Sequence, residues 1–589
     1  MTFRDEDLAR SLLRTSTRRT LTLAPLPMLA ESIALSTHAP AKPDPFTRKS
    51  RLILQRILAA LALAAGAGAV LALWLSSQQL GNPDPRDWNN VFFVLFARNE
   101  PIGLALVFAF TAMALLWFRR GAPGIALSFP PKTRLAVDLL SLAVFLIAAL
   151  GTGLVFHQYA LTADENMADF QARIFLSGKI YQSIPEFWEP LVRFVMPTHG
   201  AYLSTAHSWM SSYLPAYAAI RAGFMSIGLQ WLTNPVFAAI SIIAIAAVAR
   251  NIWPNDRWKP LLAAGLLAAS PQFLVMSMTS YAMPAHLALN LVWLWLYSDP
   301  GKRRFWLAPF LGVVALGLHQ PFFHALFAAP FLLRLIRDRR WKTCFWFGAI
   351  YIAGIASWYA WWHYFLPAFS AGGSKGPFGL HGQTLLVQII YASLLLGWVA
   401  LPVPLLAVLG FGGLKKAPPL LCDIATSCLL TFGLYIFVRL NQAHGWGDRY
   451  FHGALGCLIL VAAAGWDSLS ARIGRQAAVT FALVGLVVAF FVQLPLRSVQ
   501  AEQFVRPYAR AAEFFRTVDA DVVVFDPRLA WYANDLKRND PLWQSRPMII
   551  STLRMTEEQI EAVQQHYPNG RLISREELAA FELVTEPYR

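Results

Sequence analysis

Residues 161–217 read LTADENMADFQARIFLSGKIYQSIPEFWEPLVRFVMPTHGAYLSTAHSWMSSYLPAY, the longest polar interruption in an otherwise apolar chain. Asp164 and Glu165 stand side by side just after an apolar run ends. Arg173, Lys179, Arg193, His199 and His207 follow. Carboxylates beside cations at the edge of a bilayer suit chemistry on a phosphate-bearing, lipid-linked substrate. The stretch is therefore expected to be an active-site loop outside the membrane.

The composition around it fixes the class. The 589 residues are 56% hydrophobic and 14% charged, with mean hydropathy +0.45. Soluble domains carry about 25% charged residues. The apolar runs have the length of bilayer-spanning helices, roughly 17–25 residues. A transmembrane barrel would show short alternating segments instead. The expected fold is an all-α polytopic membrane protein. The net charge of +16 reads as basic residues that collect in cytoplasmic loops and fix topology. No basic patch with interleaved aromatics points to nucleic acid. Cys344, Cys422, Cys428 and Cys457 lie in or beside apolar segments, with no CxxC spacing. They read as small buried hydrophobes. No cleavable signal peptide is expected, since some fifty polar residues precede the first apolar run.

Loop charge orders the spans. Residues 1–51 hold nine Lys/Arg, five Asp/Glu and a Pro-rich piece, and are expected to be a disordered cytoplasmic tail. Spans are expected near 53–76, 102–118 and 134–157, the third delivering Asp164 to the outer face. Ten more apolar runs lie near 232–249, 261–279, 283–298, 305–318, 320–336, 343–366, 384–410, 420–438, 450–466 and 478–495. The basic loops RNIWPNDRWK, DPGKRR, RDRRWK and LKK all fall inside only if 209–229 does not cross. That segment, with Pro215 and Arg221, is then a re-entrant or surface helix on the outer side. The expectation is about 13 crossings, amino terminus in and carboxyl terminus out. Four units follow the tail: 52–157, the first three spans; 158–231, the outer loop; 232–495, the remaining spans; and 496–589, a small α/β domain outside the membrane. In the last, ADVVVFDP reads as a buried strand entering a turn. TEEQIEAVQQHY reads as a helix capped by Thr556, with Gln559 three residues on.

Polar groups inside a membrane protein are costly and usually functional. Here they gather at outer helix ends: SMTSYAMPAH (277–286), LHQPFFH (318–324), Lys375 with His381, and RLNQAHGWGDRY (439–450). Asp164 and Glu165 are the candidate catalytic groups, with a solvated loop start as the plainer reading. Arg173 and Lys179 suit a donor phosphate or simply snorkel from an interfacial helix. Arg449 suits a leaving phosphate or pairs structurally with Asp448. His199, Tyr281, His286, His319, Gln320 and Tyr450 are the candidate substrate-binding residues. His199 and His207, eight apart, lack a full ligand set, so no metal is expected.

DENMADFQARIFLSGKIY resembles the first outer loop of the GT-C glycosyltransferases related to protein O-mannosyltransferases and the lipid A aminoarabinose transferase. SSYLPAY, WLTNPVFAAI, AASPQFLVMSMTSYAMPAHLALNLVWLWLY, GLHQPFFHAL and GDRYFHGALG continue the likeness in order, from about Leu161 to Trp466. Two elements depart from the pattern: LHQP (318–321) stands where many relatives have Arg-Pro, and YLPAY where a Tyr-Pro-Pro-Gly element is usual.

The resemblance implies a sugar donor linked to polyprenyl phosphate and transfer with inversion to an acceptor hydroxyl on the periplasmic side of a bacterial inner membrane. Asp164 matches the family's catalytic acid, and Glu165 its neighbour. The acceptor is a lipid, a polysaccharide or a protein. No cofactor is implied, and no divalent metal is indicated. The alternative is a transporter or flippase of a lipid-linked solute, which would show charged or broken helices near the bilayer midplane.

Overall fold

A computed structural model describes residues 59–68, 70, 74, 91–120, 124, 133–366, 382–437, 446–530 and 532–583. The amino-terminal tail, most of the run near 53–76, the loop with Lys375 and His381, and residues 439–445 lie outside the described residues.

The chain is built of helices: α1 Val91–Arg119, α2 Thr133–Leu154, α3 Ala163–Leu176, α4 Ala216–Met225, α5 Thr233–Ile252, α6 Trp258–Ala268, α7 Pro271–Ser277, α8 Met283–Tyr297, α9 Ala308–Leu316, α10 Phe322–Arg337 and α11 Trp341–Phe365. They continue as α12 Gly382–Trp398, α13 Val403–Gly412, α14 Pro419–Leu434, α15 Leu455–Ile473, α16 Arg475–Val488 and α17 Leu494–Thr517.

Among the described residues, six helices are long and apolar enough to cross a membrane: Asn99–Arg119, Thr133–Leu154, Gln230–Ile252, Trp341–Phe365, His452–Ile473 and Arg475–Thr517. Two more spans arise if bent pairs count once: α6 with α7, bent by 61°, and Gln388–Trp398 with α13, bent by 113°. The thirteen expected crossings are thus not confirmed among the described residues. The shortfall has a geometric cause. At 1.5 Å per residue, a span needs about 20 residues. Helices α8 and α9 hold 15 and 9, and α10 and α14 hold 16 each.

Small residues let the helices approach closely. A Cβ on Gly410 of α13 would lie 1.9 Å from the Val461 carbonyl oxygen, and one on Gly465 of α15 would lie 2.0 Å from that of Leu406. Backbone contact of this kind takes the place of the hydrophobic drive that lipid cannot supply.

The stretch expected to be a helix over 209–229 begins differently. Residues 208–211 form the central strand of an antiparallel sheet, with β1 Gln182–Ser183, β2 Gly200–Leu203 and β3 Ser208–Ser211 in the order β1-β3-β2. Strand β3 is buried along its length, which masks the alternation that marks a strand. Only α4 is helical. Its ten residues are too few to cross.

The carboxyl-terminal stretch folds as a three-stranded parallel sheet, order β5-β4-β6, of β4 Val522–Phe525, β5 Met548–Ser551 and β6 Gly570–Ile573. Helix α18 Glu557–His566 makes the crossover between β5 and β6. Its capping box is formed: Thr556 Oγ1 accepts from the Gln559 amide, and Gln559 accepts from the Thr556 amide. This sheet shares one apolar core with the loop: Met167, Phe170 and Trp209 pack with Val522, Met548, Ile550 and Val563. Trp209 stacks on Trp543 with centroids 4.2 Å apart.

Candidate active site

Helix α3 begins where the apolar α2 has ended, and its start is capped from several directions. Thr162 and Glu165 have the spacing of a capping box, and the Glu165 carboxylate accepts the Thr162 amide at 3.2 Å. The Asp535 carboxylate accepts the Ala163 amide at 3.1 Å. The Arg538 guanidinium donates to the carbonyls of Ala160 and Leu161. Gly178, at φ +77°, ends the helix in the left-handed conformation usual after a helix C-terminus.

This framework leaves Asp164 facing a set of donors. Its Oδ1 lies 3.0 Å from His199 Nε2 and accepts the Tyr213 hydroxyl. Its Oδ2 lies 3.3 Å from an Arg449 amino group. The side chains of Asp164 and Arg449 are 18% and 7% exposed, so the pair is largely shielded from water. Burial alone would raise the Asp164 pKa. The Arg449 charge, the imidazoles of His199 and His319 and the Tyr213 hydroxyl outweigh it, and the carboxyl is lowered to about 2.

The surroundings are aromatic. Tyr213 stacks on His319 with centroids 4.1 Å apart. The Arg449 guanidinium lies 4.9 Å from the Tyr281 ring and 5.2 Å from the Tyr450 ring. Arg449 is presented by a tight turn. Gly447 takes φ +82°, and a Cβ there would meet Gln272 Oε1 at 2.5 Å. Gln272 in turn donates to the Asp448 carbonyl at 2.7 Å. Asp448 does not pair with Arg449; its carboxylate accepts the Phe451 amide at 3.1 Å.

The structure thus gathers Asp164, His199, His319, Arg449, Tyr281 and Tyr450. Other expected site residues lie elsewhere. Arg173 is 3.7 Å from Asp540. Lys179 donates to Gln182 at 2.9 Å on the surface. His286 is buried in α8, 5.1 Å from the Phe323 ring. Gln320 sits in the turn before α10, and no contact joins it to Asp164 among the described residues. Glu165 has its side chain enclosed, accepting from the Thr162 and Ser280 amides, both at 3.2 Å. It ties the α3 start to the 279–281 turn that carries Tyr281.

Tyr213, Asp535 and Arg538 were not among the expected site residues. Tyr213 falls inside SSYLPAY, so the motif held its signal. Asp535 and Arg538 sit in a polar stretch without a motif. Among the described residues no group of three or more His, Cys, Asp or Glu is placed to hold a metal ion.

Glu165 gives a pH-dependent prediction. Burial pushes its carboxyl up to about 7, against the backbone donors Thr162 and Ser280 that lower it. The unfolded chain loses this proton near 4.5 and the folded chain near 7. Folded protein therefore binds more protons in between, and stability falls as pH rises through that window. The full cost is roughly 3 kcal/mol above pH 7. Glu165→Gln has no such proton to lose. Melting of both proteins at pH 5 and pH 8 should show wild type losing ground to the variant at the higher pH. An unchanged gap would contradict the buried, protonatable state.

The chain is similar to two crystal structures of ArnT from Cupriavidus metallidurans. For the apo state, identity is 13% over 73% of this chain and 88% of that chain, with TM-score 0.46. For the form bound to undecaprenyl phosphate, identity is 14% over 74% of this chain and 89% of that chain, with TM-score 0.48. No family model matches the chain, and no curated protein does.

Proposed function

We propose that the protein is a membrane glycosyltransferase that moves a sugar from a polyprenyl-phosphate donor to an acceptor hydroxyl, with inversion, on the periplasmic side of a bacterial inner membrane. The amino terminus is then cytoplasmic and the carboxyl-terminal sheet periplasmic. The observation that carries this reading is the contact between an ionised carboxylate, Asp164, and a buried guanidinium, Arg449, beside apolar helices.

The chemistry follows from that contact. The acceptor oxygen attacks the anomeric carbon as the bond from that carbon to the phosphate oxygen breaks. The acceptor proton passes to Asp164 as general base. The leaving group is polyprenyl phosphate, which needs charge neutralisation rather than a proton. Arg449 supplies the charge from a water-poor site. A second carboxylate of the glycosidase kind is not required.

A carboxylate held near pKa 2 is a weak base. It accepts a proton only if a donor lets go of it, and a donor phosphate drawn to Arg449 does that. The guanidinium is then shared, Oδ2 is released, and Asp164 becomes more basic when substrate is present. Glu165, though tuned near neutrality, is enclosed and occupied by backbone donors.

The transporter reading draws on the bent helix pair at 388–412 and on the buried ion pair Arg497–Glu100, 2.8 Å apart. Both charges fall at ends of the spans assigned above, 102–118 and 478–495, rather than at a midplane, so the transfer reading is preferred. The test is turnover. Purified wild type in nanodiscs receives a panel of polyprenyl-phosphate sugars with membrane extract as acceptor source. Release of polyprenyl phosphate with formation of an inverted glycoside supports the proposal. Movement of intact donor across the bilayer without cleavage replaces it with the transporter.

A further inference from the structure

One cavity takes no part in this chemistry. It is open on one side and holds about 1030 Å³, and Asp164 does not line it. Asn166, Asp169, Phe170 and Arg173, spaced by three, four and seven residues along one helical face, form one wall of the cavity. The end of α2, the outer part of α17 and the stretch 538–549 form the others.

Its charge is one-sided. Seven arginines line it against three carboxylates, Asp169, Glu513 and Asp540. Some of that charge is committed. Arg221 grips Asp169 through two bonds of 2.5 and 2.8 Å. Arg538 is held by backbone carbonyls. Arg516 pairs with Glu513, and Arg546 with Asp521 at 2.8 Å. The remaining arginines are held loosely or make no ion pair among the described residues. Arg173 reaches Asp540 only at 3.7 Å with half its side chain exposed, and Arg506 reaches Glu502 only at 3.5 Å. Arg510 is exposed and makes no ion pair among the described residues.

Like-charged guanidinium groups repel, and a concave wall focuses their field. With Glu502 and Asp521, which pair with lining arginines, seven arginines face five carboxylates, and an excess of two positive charges in a concave space calls for an anion. Guanidinium forks match phosphate oxygens in pairs. The volume is that of a small-molecule or headgroup pocket, about 300–1,000 Å³, and too small for a nucleic acid duplex. We infer that this cavity binds a ligand bearing two or more phosphate groups, either a soluble phosphate ester or a lipid headgroup. The inference stands on the cavity's charge and shape and not on the transfer reaction.

The test titrates full-length protein in phosphatidylcholine nanodiscs with inorganic pyrophosphate by calorimetry. Wild type should bind, more weakly at high salt. The Arg173→Ala/Arg510→Ala variant should bind about tenfold or more weakly. Both arginines are solvent-facing, so matched melting curves will show that the fold is kept; the single variant Arg510→Glu serves if they do not match. Adding cardiolipin to the discs separates the sources. Displacement of pyrophosphate identifies a lipid headgroup, and undisturbed binding identifies a soluble ligand. No binding by wild type, or equal binding by the arginine variants, overturns the inference. Loss of turnover in the donor assay does not bear on it.

Discussion

Asp164→Asn should lower the rate of polyprenyl phosphate release by a factor of about 10²–10⁴, the usual contribution of a positioned general base. Asparagine has nearly the same shape and still accepts from Tyr213, so the loop should fold as before. It cannot take the acceptor's proton. It also leaves Arg449 without its anion at 3.3 Å. The readout is initial rate at saturating donor, so that the loss appears in kcat. A variant turning over at the wild-type rate would remove Asp164 from the chemistry.

Removing one member of the buried pair Glu100–Arg497 should cost about 3–5 kcal/mol of stability, because an unpaired charge stays behind. Arg497 is fully buried. It donates to Glu100 at 2.8 and 3.3 Å and to the Gly397 carbonyl at 3.1 Å. The Trp398 indole donates to both Glu100 oxygens at 3.0 Å. The cluster therefore fastens α1 and α17 to the end of α12, where the bent pair breaks. Arg497→Met should melt far below wild type in detergent. The double variant Glu100→Gln/Arg497→Met should recover most of the loss, since replacing both charges removes the desolvation penalty along with the attraction. If the double variant melts no higher than Arg497→Met, the pair is not the source of the cost.

How far the sequence reaches can be judged from these same residues. The long apolar helices α2, α5 and α11 are legible because nothing but lipid or other helices suits them. Asp164 is legible because a carboxylate just past an apolar run is conspicuous. Thr162 and Glu165 have capping-box spacing, so the place of Glu165 at the α3 start is legible too. Arg449 is 285 positions from Asp164, and nothing local says that it passes over its neighbour Asp448 to reach back. The bent helices are hidden for a similar reason. A run such as 384–410 is apolar throughout, and its break at Ala400–Pro402 reads as an ordinary proline position in a long span. The strand β3 is lost because both its faces are buried. The packing of the loop against the carboxyl-terminal stretch, two halves of one apolar core, rests on Trp209 meeting Trp543, a contact with no sequence-local trace.

The central claim is that Asp164 and a donor phosphate compete for one guanidinium. Binding of polyprenyl monophosphate to wild type, Asp164→Asn and Arg449→Ala measures this directly. The account predicts that Asp164→Asn, though nearly inactive, binds the phosphate about tenfold more tightly than wild type, a coupling of about 1.4 kcal/mol, and that Arg449→Ala loses binding. Unchanged or weaker binding by Asp164→Asn would contradict it.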